Sequence, residues 1–500
     1  MQAPSVALYA ALVPNITNVT LRARYYSFFP WLCDQYAHRR GDPSEKAWIQ
    51  FLRRAEALLA LASCAASPKG ECDGAAGVRW ASRVWKQRSG DESIDFATGA
   101  LPGGNGTYLQ NERGIFGQVY QSVLTELGIV TSARVHAIPV PAPGRGDALG
   151  AAFEASVGQA GVEFIDVLEA GNADAETLIR LGRAMSPEAI PPDSAERACL
   201  EAILFADDAP ATAGKHARRD TLRLALYAAR QLSARPTIDQ LRWAFYAHRF
   251  EDGTTLVVPE SLCRQAERWS AYQANELAHI SLEAVLSLLL KCHISETRPV
   301  TMAYAVRGLV ADLLEGFSPV PHDWARLRAV EEWAESPWDK AVASSERNLA
   351  DAVFGNDPFE AARAGTRLLA ILDRRWAGIQ HAVATEFAQG TMIARGSPTV
   401  MSVLAFLRHR EHEPIERLLA ALVQRYVIEQ HLRVAMRKLH QQGKRTFHFE
   451  LENGELIRRF ETGPVYTTPR LGTSLAFLRD LHLLGDNGPT AAGLAVLGAA

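Results

Sequence analysis

The run IERLLAALVQRYVIEQHLRVAMRKLH, residues 415–440, and the run TFHFELENGELIRRF, residues 446–460, carry the clearest pattern in the chain. In the first, Ile415, Leu418, Leu422 and Tyr426 recur at spacings of three and four, and Ile428, Leu432, Met436 and Leu439 continue the series. That is the period of a helix with one apolar face. In the second, Thr446–Leu451 and Glu455–Phe460 are β-capable and are separated by Glu452-Asn453-Gly454. Asn-Gly tolerates positive φ at both central turn positions, so the run predicts a hairpin. Beyond it, Thr468 is placed to cap a helix with Pro469 at its first position and Leu471, Leu475 and Leu478 on one face. A long helix, a hairpin and further helices over residues 411–500 predict a C-terminal winged-helix-like domain.

Working outward, the fold class is mainly α. Residues 161–410 read as helix after helix, broken at Glu296–Pro299, Ser318–Pro321, Gly355–Pro358 and Gly396–Pro398, and form a central helical domain. The longest uninterrupted candidate is Glu260 to Cys292. Residues 1–160 form an N-terminal helical domain. Its first helix is expected from Thr17-Asn18 through Leu21, Tyr25 and Phe28, kinked or ended near Phe29 by Pro30. A second winged-helix-like unit is expected near residues 111–158, with a helix from Gly114 to Leu127, a short strand at Val135–Val140 and a turn at Pro141–Gly146. No repeat of fixed period is present, so a regular solenoid is not expected.

Five hundred residues exceed what one hydrophobic core can serve. A hydrophobic fraction of 48% with 22% charged residues excludes wholesale disorder. A net charge of −3 removes the strongest argument for nucleic-acid binding, a broadly basic domain, and leaves only local cation clusters. No apolar run reaches bilayer length and the first residues lack a basic leader region, so a cytoplasmic chain without membrane contact is expected. Six scattered cysteines without a C-x-x-C pair read as reduced thiols.

Catalytic signatures are missing: no G-x-S-x-G, no H-E-x-x-H, no phosphate loop. Gly144-Arg-Gly146-Asp-Ala-Leu-Gly150 is one residue off the dinucleotide spacing and has prolines in the turn, so a structural turn is the better reading. Glu276, His279 and Glu283 share a helix face, but a carboxylate-bridged metal pair needs a second Glu-x-x-His, which the chain lacks. A polar stripe is expected there, with neither metal nor cofactor. The aromatic group Tyr25, Tyr26, Phe28, Phe29 and Trp31 reads as core, with Arg22 and Arg24 snorkelling outward.

The best cation cluster comprises Arg433, Arg437 and Lys438 on the long helix, Lys444, Arg445, Arg458 and Arg459 around the hairpin, and Arg470 after it. These eight are the candidate DNA-binding residues, and non-specific phosphate contact is the expected mode. Glu450, Glu452, Glu455 and Glu461 are interleaved with them and weaken the field.

The opening Asn18-Val-Thr-Leu-Arg22-Ala-Arg24-Tyr25-Tyr26-Ser-Phe28-Phe-Pro-Trp31 resembles the start of large, poorly characterised bacterial helical proteins encoded beside phage-defence genes. Val465-Tyr466-Thr-Thr-Pro469-Arg470-Leu471, with Leu475 to Leu484 and Thr490-Ala-Ala-Gly493, is similar to their winged-helix ends. The resemblance covers under a tenth of the chain and carries over no active-site residue. It implies a role in a bacterial multi-protein system of antiviral defence or DNA transaction, and the missing catalytic motifs favour a non-enzymatic scaffold or DNA-associated subunit of such a system. Its partners would be other proteins of that system and double-stranded DNA. The alternatives are an enzyme with a dispersed site, either a nuclease or a nucleotide-handling effector, and a transcriptional regulator.

Overall fold

The computed structural model describes all residues except 1, 40–41, 71, 89–92, 104–105, 132–137, 207–215, 331–333, 390–396 and 499–500, and gives the backbone alone for 330 and 381–389. Helix dominates, as the periodicities predict, and among the described residues no strand exceeds four residues and no sheet exceeds three strands. The strand expected at Val135–Val140 lies partly outside the described residues. Around it stand an isolated antiparallel bridge, Val130 to Pro141, and helix Arg145–Val157.

The chain forms two compact units, both discontinuous in sequence: Met1–Leu12 with Thr237–Pro469, and Val13–Pro236 with Arg470–Ala500. The expected segment 161–410 is therefore shared between them, and so is 411–500, which divides after Pro469.

In the first unit the expected long element is a spine helix, Glu260–Leu288, running into a π-helical turn at Leu289–His293. It packs against helix Pro358–Gln389, of 32 residues. The crossing is close because residue 365 is glycine: a Cβ there would stand 2.9 Å from the Ser281 carbonyl oxygen. Asn275 of the spine is fully buried and doubly used. Its amide donates to Ser5 Oγ at 2.8 Å, holding helix Gln2–Leu12, and its oxygen accepts from Val400 N at 2.9 Å, at the start of helix Val400–His409. The predicted hairpin forms at Phe449–Glu452 and Glu455–Arg458, with positive φ at Asn453 and Gly454. Its third partner comes from far upstream. Val300–Thr301 pairs antiparallel with the second hairpin strand, which becomes the central one.

In the second unit helix Tyr25–Arg39 starts later than the pattern suggests. Thr17 and Thr20 bond each other's backbone (Thr20 Oγ1 to Thr17 O at 3.0 Å, Thr17 N to Thr20 Oγ1 at 2.9 Å), a local turn that competes with the helix. Pro30 neither ends nor interrupts the helix. It lies near the start, where it removes one backbone hydrogen bond. The aromatic group is core, as expected, with Phe29 stacked among Tyr25, Phe116 and Tyr120 at centroid distances of 5.5, 4.9 and 5.1 Å. The arginines do not snorkel. Arg24 is buried in a two-point pair with Glu196, and Arg22 is bound to Asp480 at 2.6 Å. Carboxylates on distant segments make their burial affordable.

Some glycines in this unit serve close packing. A Cβ at Gly146 would run into the Ile129 carbonyl, and one at Gly150 would touch the Trp31 backbone at 3.3 Å, whereas Gly144, with open space around it, takes a φ of 80 in the turn; the G-x-G-x-x-x-G run thus has structural roles. At Gly182 the obstacle is the Ala62 carbonyl, where helices Glu45–Ala66 and Ala175–Met185 meet. Gly182→Ala is expected to destabilise the protein by about 1–3 kcal/mol, read from the urea midpoint, although alanine is the better helix former.

Candidate nucleic-acid interface

Residues 415–442 fold as helix Ile415–Leu422, a π-helical turn Val423–Ile428 and helix Glu429–Gln442, closed by Gly443 at φ 65. The extra residue in the π turn rotates the later helix by about 100° relative to an uninterrupted one. Ile415, Leu418 and Leu422 are buried as predicted, but Met436 is 47% exposed and Leu432 and Leu439 are half-buried. Gln430 and Ala435 are buried instead. The outward stripe runs Arg425, Glu429, Arg433, Met436, His440.

The eight candidate cations differ in exposure and in their partners. Arg433 is exposed, and Arg437, half-buried, reaches Ser397 Oγ at 3.5 Å. Lys438 lies one residue further on, half-buried, and Lys444 is exposed just past the helix. The hairpin arginines are neutralised locally. Arg459 binds Glu450 at 2.6 Å, and Arg445 reaches the same carboxylate at 3.8 Å. Arg458 is held by Glu296 at 2.9 Å and by Glu461, and donates to the Leu290 carbonyl. Arg470 belongs to the other unit and donates to Val13 O at 2.7 Å. Glu452 and Glu455 stand opposite each other beside the hairpin turn, so its tip is acidic.

Helix and hairpin are joined by a histidine contact: His448 N donates to His431 Nε2 at 3.0 Å. Burial, together with the neighbouring His448 and Lys438 charges, pushes His431 down to about 4 and keeps that nitrogen an acceptor. On the outer flank of the arginine-bearing helix a cleft of about 650 Å³ is lined by Ser402, Phe406, Arg410, Gln424, Arg425, Tyr426, Glu429 and Arg433. Sequence reasoning missed Arg425 and Arg410. Arg425 lies eight residues before Arg433 on the same outward stripe, inside the π turn, whereas Arg410 caps the end of helix Val400–His409 and no local pattern links it to that stripe.

A second cleft, about 790 Å³, surrounds the π-helical turn at Leu289–His293 and includes Lys291, Cys292, Glu296, Asp312 and Arg458. His293 Nε2 is 2.8 Å from Asp312, while Glu296 is taken by Arg458. Both carboxylates therefore have cationic or ionisable neighbours.

Glu276, His279 and Glu283 form the expected polar stripe, and its task is to hold a strap. His279 Nε2 is 2.9 Å from Glu283, and its Nδ1 is 3.5 Å from Glu276. The far oxygens of the two carboxylates accept from the strap backbone, Thr467 N at 2.6 Å and Val465 N at 2.9 Å. That hold keeps residues 465–467 out of a helix. The helix beyond begins at Leu471 with Arg470 as its cap, instead of at Pro469 with Thr468. Burial alone would lower the His279 pKa, but hydrogen bonds and charge from Glu276 and Glu283 outweigh it and raise it. Burial would raise Glu276, yet His279, Ser5 and Thr467 hold it below its usual value. Among the described residues no group of three or more His, Cys, Asp or Glu side chains is arranged to hold a metal ion, and no helix is long and apolar enough to cross a membrane. No known family, curated protein or solved structure matches the chain.

Proposed function

We propose that this protein is a non-enzymatic, DNA-associated scaffold whose contact with duplex DNA runs through the helix Glu429–Gln442 of a winged-helix-like module. The module in this reading is assembled from residues 300–315 and 415–458, not from the last ninety residues. The observation that carries it is the strand order. Val300–Thr301, then helix Met302–Glu315, then helices 415–442, then the hairpin, with the first strand beside the third, is the order of a winged helix. Residues 316–414 form an insertion between helix Met302–Glu315 and the helices of 415–442. In that frame Glu429–Gln442 is the groove-facing helix. Its basic side offers Arg433, Arg437 and Lys438, while the acidic hairpin tip is poorly suited to phosphate. Membership of a multi-protein system belongs to the same proposal and is supported by the resemblance of the two terminal segments.

Arg433→Ala, Arg437→Ala and Lys438→Ala together are expected to lower duplex affinity by about one to two orders of magnitude and to flatten the slope of log K against log salt by about 2 to 3. The loss should be similar across unrelated sequences. A Lys444, Arg445, Arg458 and Arg459 quadruple alanine variant should lose less, because three of its cations are already paired. Gel-shift titration between ~50 and ~200 mM salt reads both. Absence of binding by the wild type at low salt would refute the DNA reading and leave the module as a protein-docking element.

A further inference from the structure

We infer that the cleft flanking the arginine-bearing helix binds a nucleoside phosphate unit, a planar base together with its phosphate. At about 650 Å³ it is within the size range of small-molecule sites and far larger than a bare anion needs. Its rings are fixed in place. Phe406 and Tyr426 meet edge to face at 5.4 Å, and Tyr426 is locked by its hydroxyl, which donates to Ser402 O at 2.9 Å.

Two guanidinium groups lie over the Phe406 ring, Arg410 at 5.2 Å and Arg425 at 5.4 Å. They differ in their partners. Arg410 is held at two points by Glu413, at 2.8 and 2.7 Å. Arg425 makes ring contacts with Phe406 and Tyr426 but has no carboxylate partner among the described residues. A guanidinium offers a donor fork that matches phosphate and a flat face that stacks on a ring. An apolar ligand would leave Arg425 unsatisfied, and a simple anion would leave the aromatic side of the cleft empty. A base with an attached phosphate uses both.

The same chemistry is offered by a free nucleotide and by one nucleotide of a single strand. The site goes beyond the duplex contact proposed above and uses different residues, apart from Arg433 at its edge.

The test uses the full chain in calorimetric titrations with ATP, a short oligothymidine and inorganic phosphate, with duplex binding measured in parallel. Saturable binding of ATP or of the oligonucleotide is expected, weakened about tenfold or more by Arg425→Ala, in line with loss of a charge-assisted fork. Phe406→Leu, which keeps most of the apolar volume but removes the ring, should weaken it as well. Binding of ATP alone identifies a free nucleotide, and binding of the oligonucleotide alone identifies a strand. Equal competition by inorganic phosphate, indifference to Arg425→Ala, or no binding of either probe would overturn the inference. Nucleotide binding without duplex binding would sink the proposed function and leave this site standing; the reverse result would do the opposite.

Discussion

His279→Ala is expected to cost about 3–5 kcal/mol of stability, because it leaves the Glu276 carboxylate buried without its counter-charge. Glu276 is fully buried and His279 nearly so, at 0% and 3% exposure, so water cannot replace the lost partner. Adding Glu276→Gln to the alanine variant should recover part of the loss, since a neutral amide can still accept from Thr467 N. The pH dependence follows from the two shifts. His279 is raised above its ordinary 6.5, so its contribution is complete below that value and is lost as pH rises through the folded-state pKa. Glu276 is lowered below its ordinary 4.5, so its contribution is present above that value and is lost as pH falls through the folded-state pKa. The Glu276–His279 pair is therefore at full strength between 4.5 and 6.5 and weakens on both sides. In the alanine variant the alkaline loss should disappear from a plot of urea midpoint against pH. An unchanged alkaline limb would mean that another group governs it.

Arg24→Met is expected to destabilise the second unit by a similar amount, about 3–5 kcal/mol. Glu196 takes Arg24 Nε and Nη2, both at 3.1 Å, and otherwise has Ser27 Oγ at 2.6 Å. Arg24 Nη1 also donates to the Ala184 and Ser186 carbonyls, joining the start of helix Tyr25–Arg39 to the end of helix Ala175–Met185. Removing the cation strands a carboxylate at 0% exposure and two carbonyls with it. The double variant Arg24→Met, Glu196→Leu removes both charges and should regain most of the stability, as buried pairs replaced by apolar side chains commonly do. If the double variant is as unstable as the single one, packing of the arginine stem, and not the unpaired charge, is the cause.

Helix at 260–292, the hairpin turn at Asn453-Gly454 and the aromatic core around Phe28 and Phe29 were legible because each rests on local rules. These are a 3.6-residue period, a two-residue turn with positive φ, and the burial of large rings. The stripe Glu276, His279, Glu283 was legible for the same reason, since spacings of three and four put side chains on one helix face. What those side chains face was not legible. The strap at Val465–Thr467 lies almost two hundred residues away in the chain, and no local pattern in either segment refers to the other.

The candidate site divides along the same line. Arg433 and Arg437 could be found from helical spacing, whereas the pairing of Arg458 with Glu296 and of Arg22 with Asp480 depends on chain segments that meet only after folding. The one-residue phase shift at Val423–Ile428 likewise escapes a periodic reading, because a π turn leaves the composition of the run unchanged. By itself the sequence determined the helical class, the hairpin and the turn residues, since each arises from interactions within a few residues along the chain. Tertiary structure alone decided that Val300–Thr301 joins the hairpin, that the chain passes between its two units after Leu12, Pro236 and Pro469, and which arginines are paired with carboxylates from distant segments. Those outcomes follow from the need of buried polar groups for partners, and the partners come from wherever the folded chain brings them.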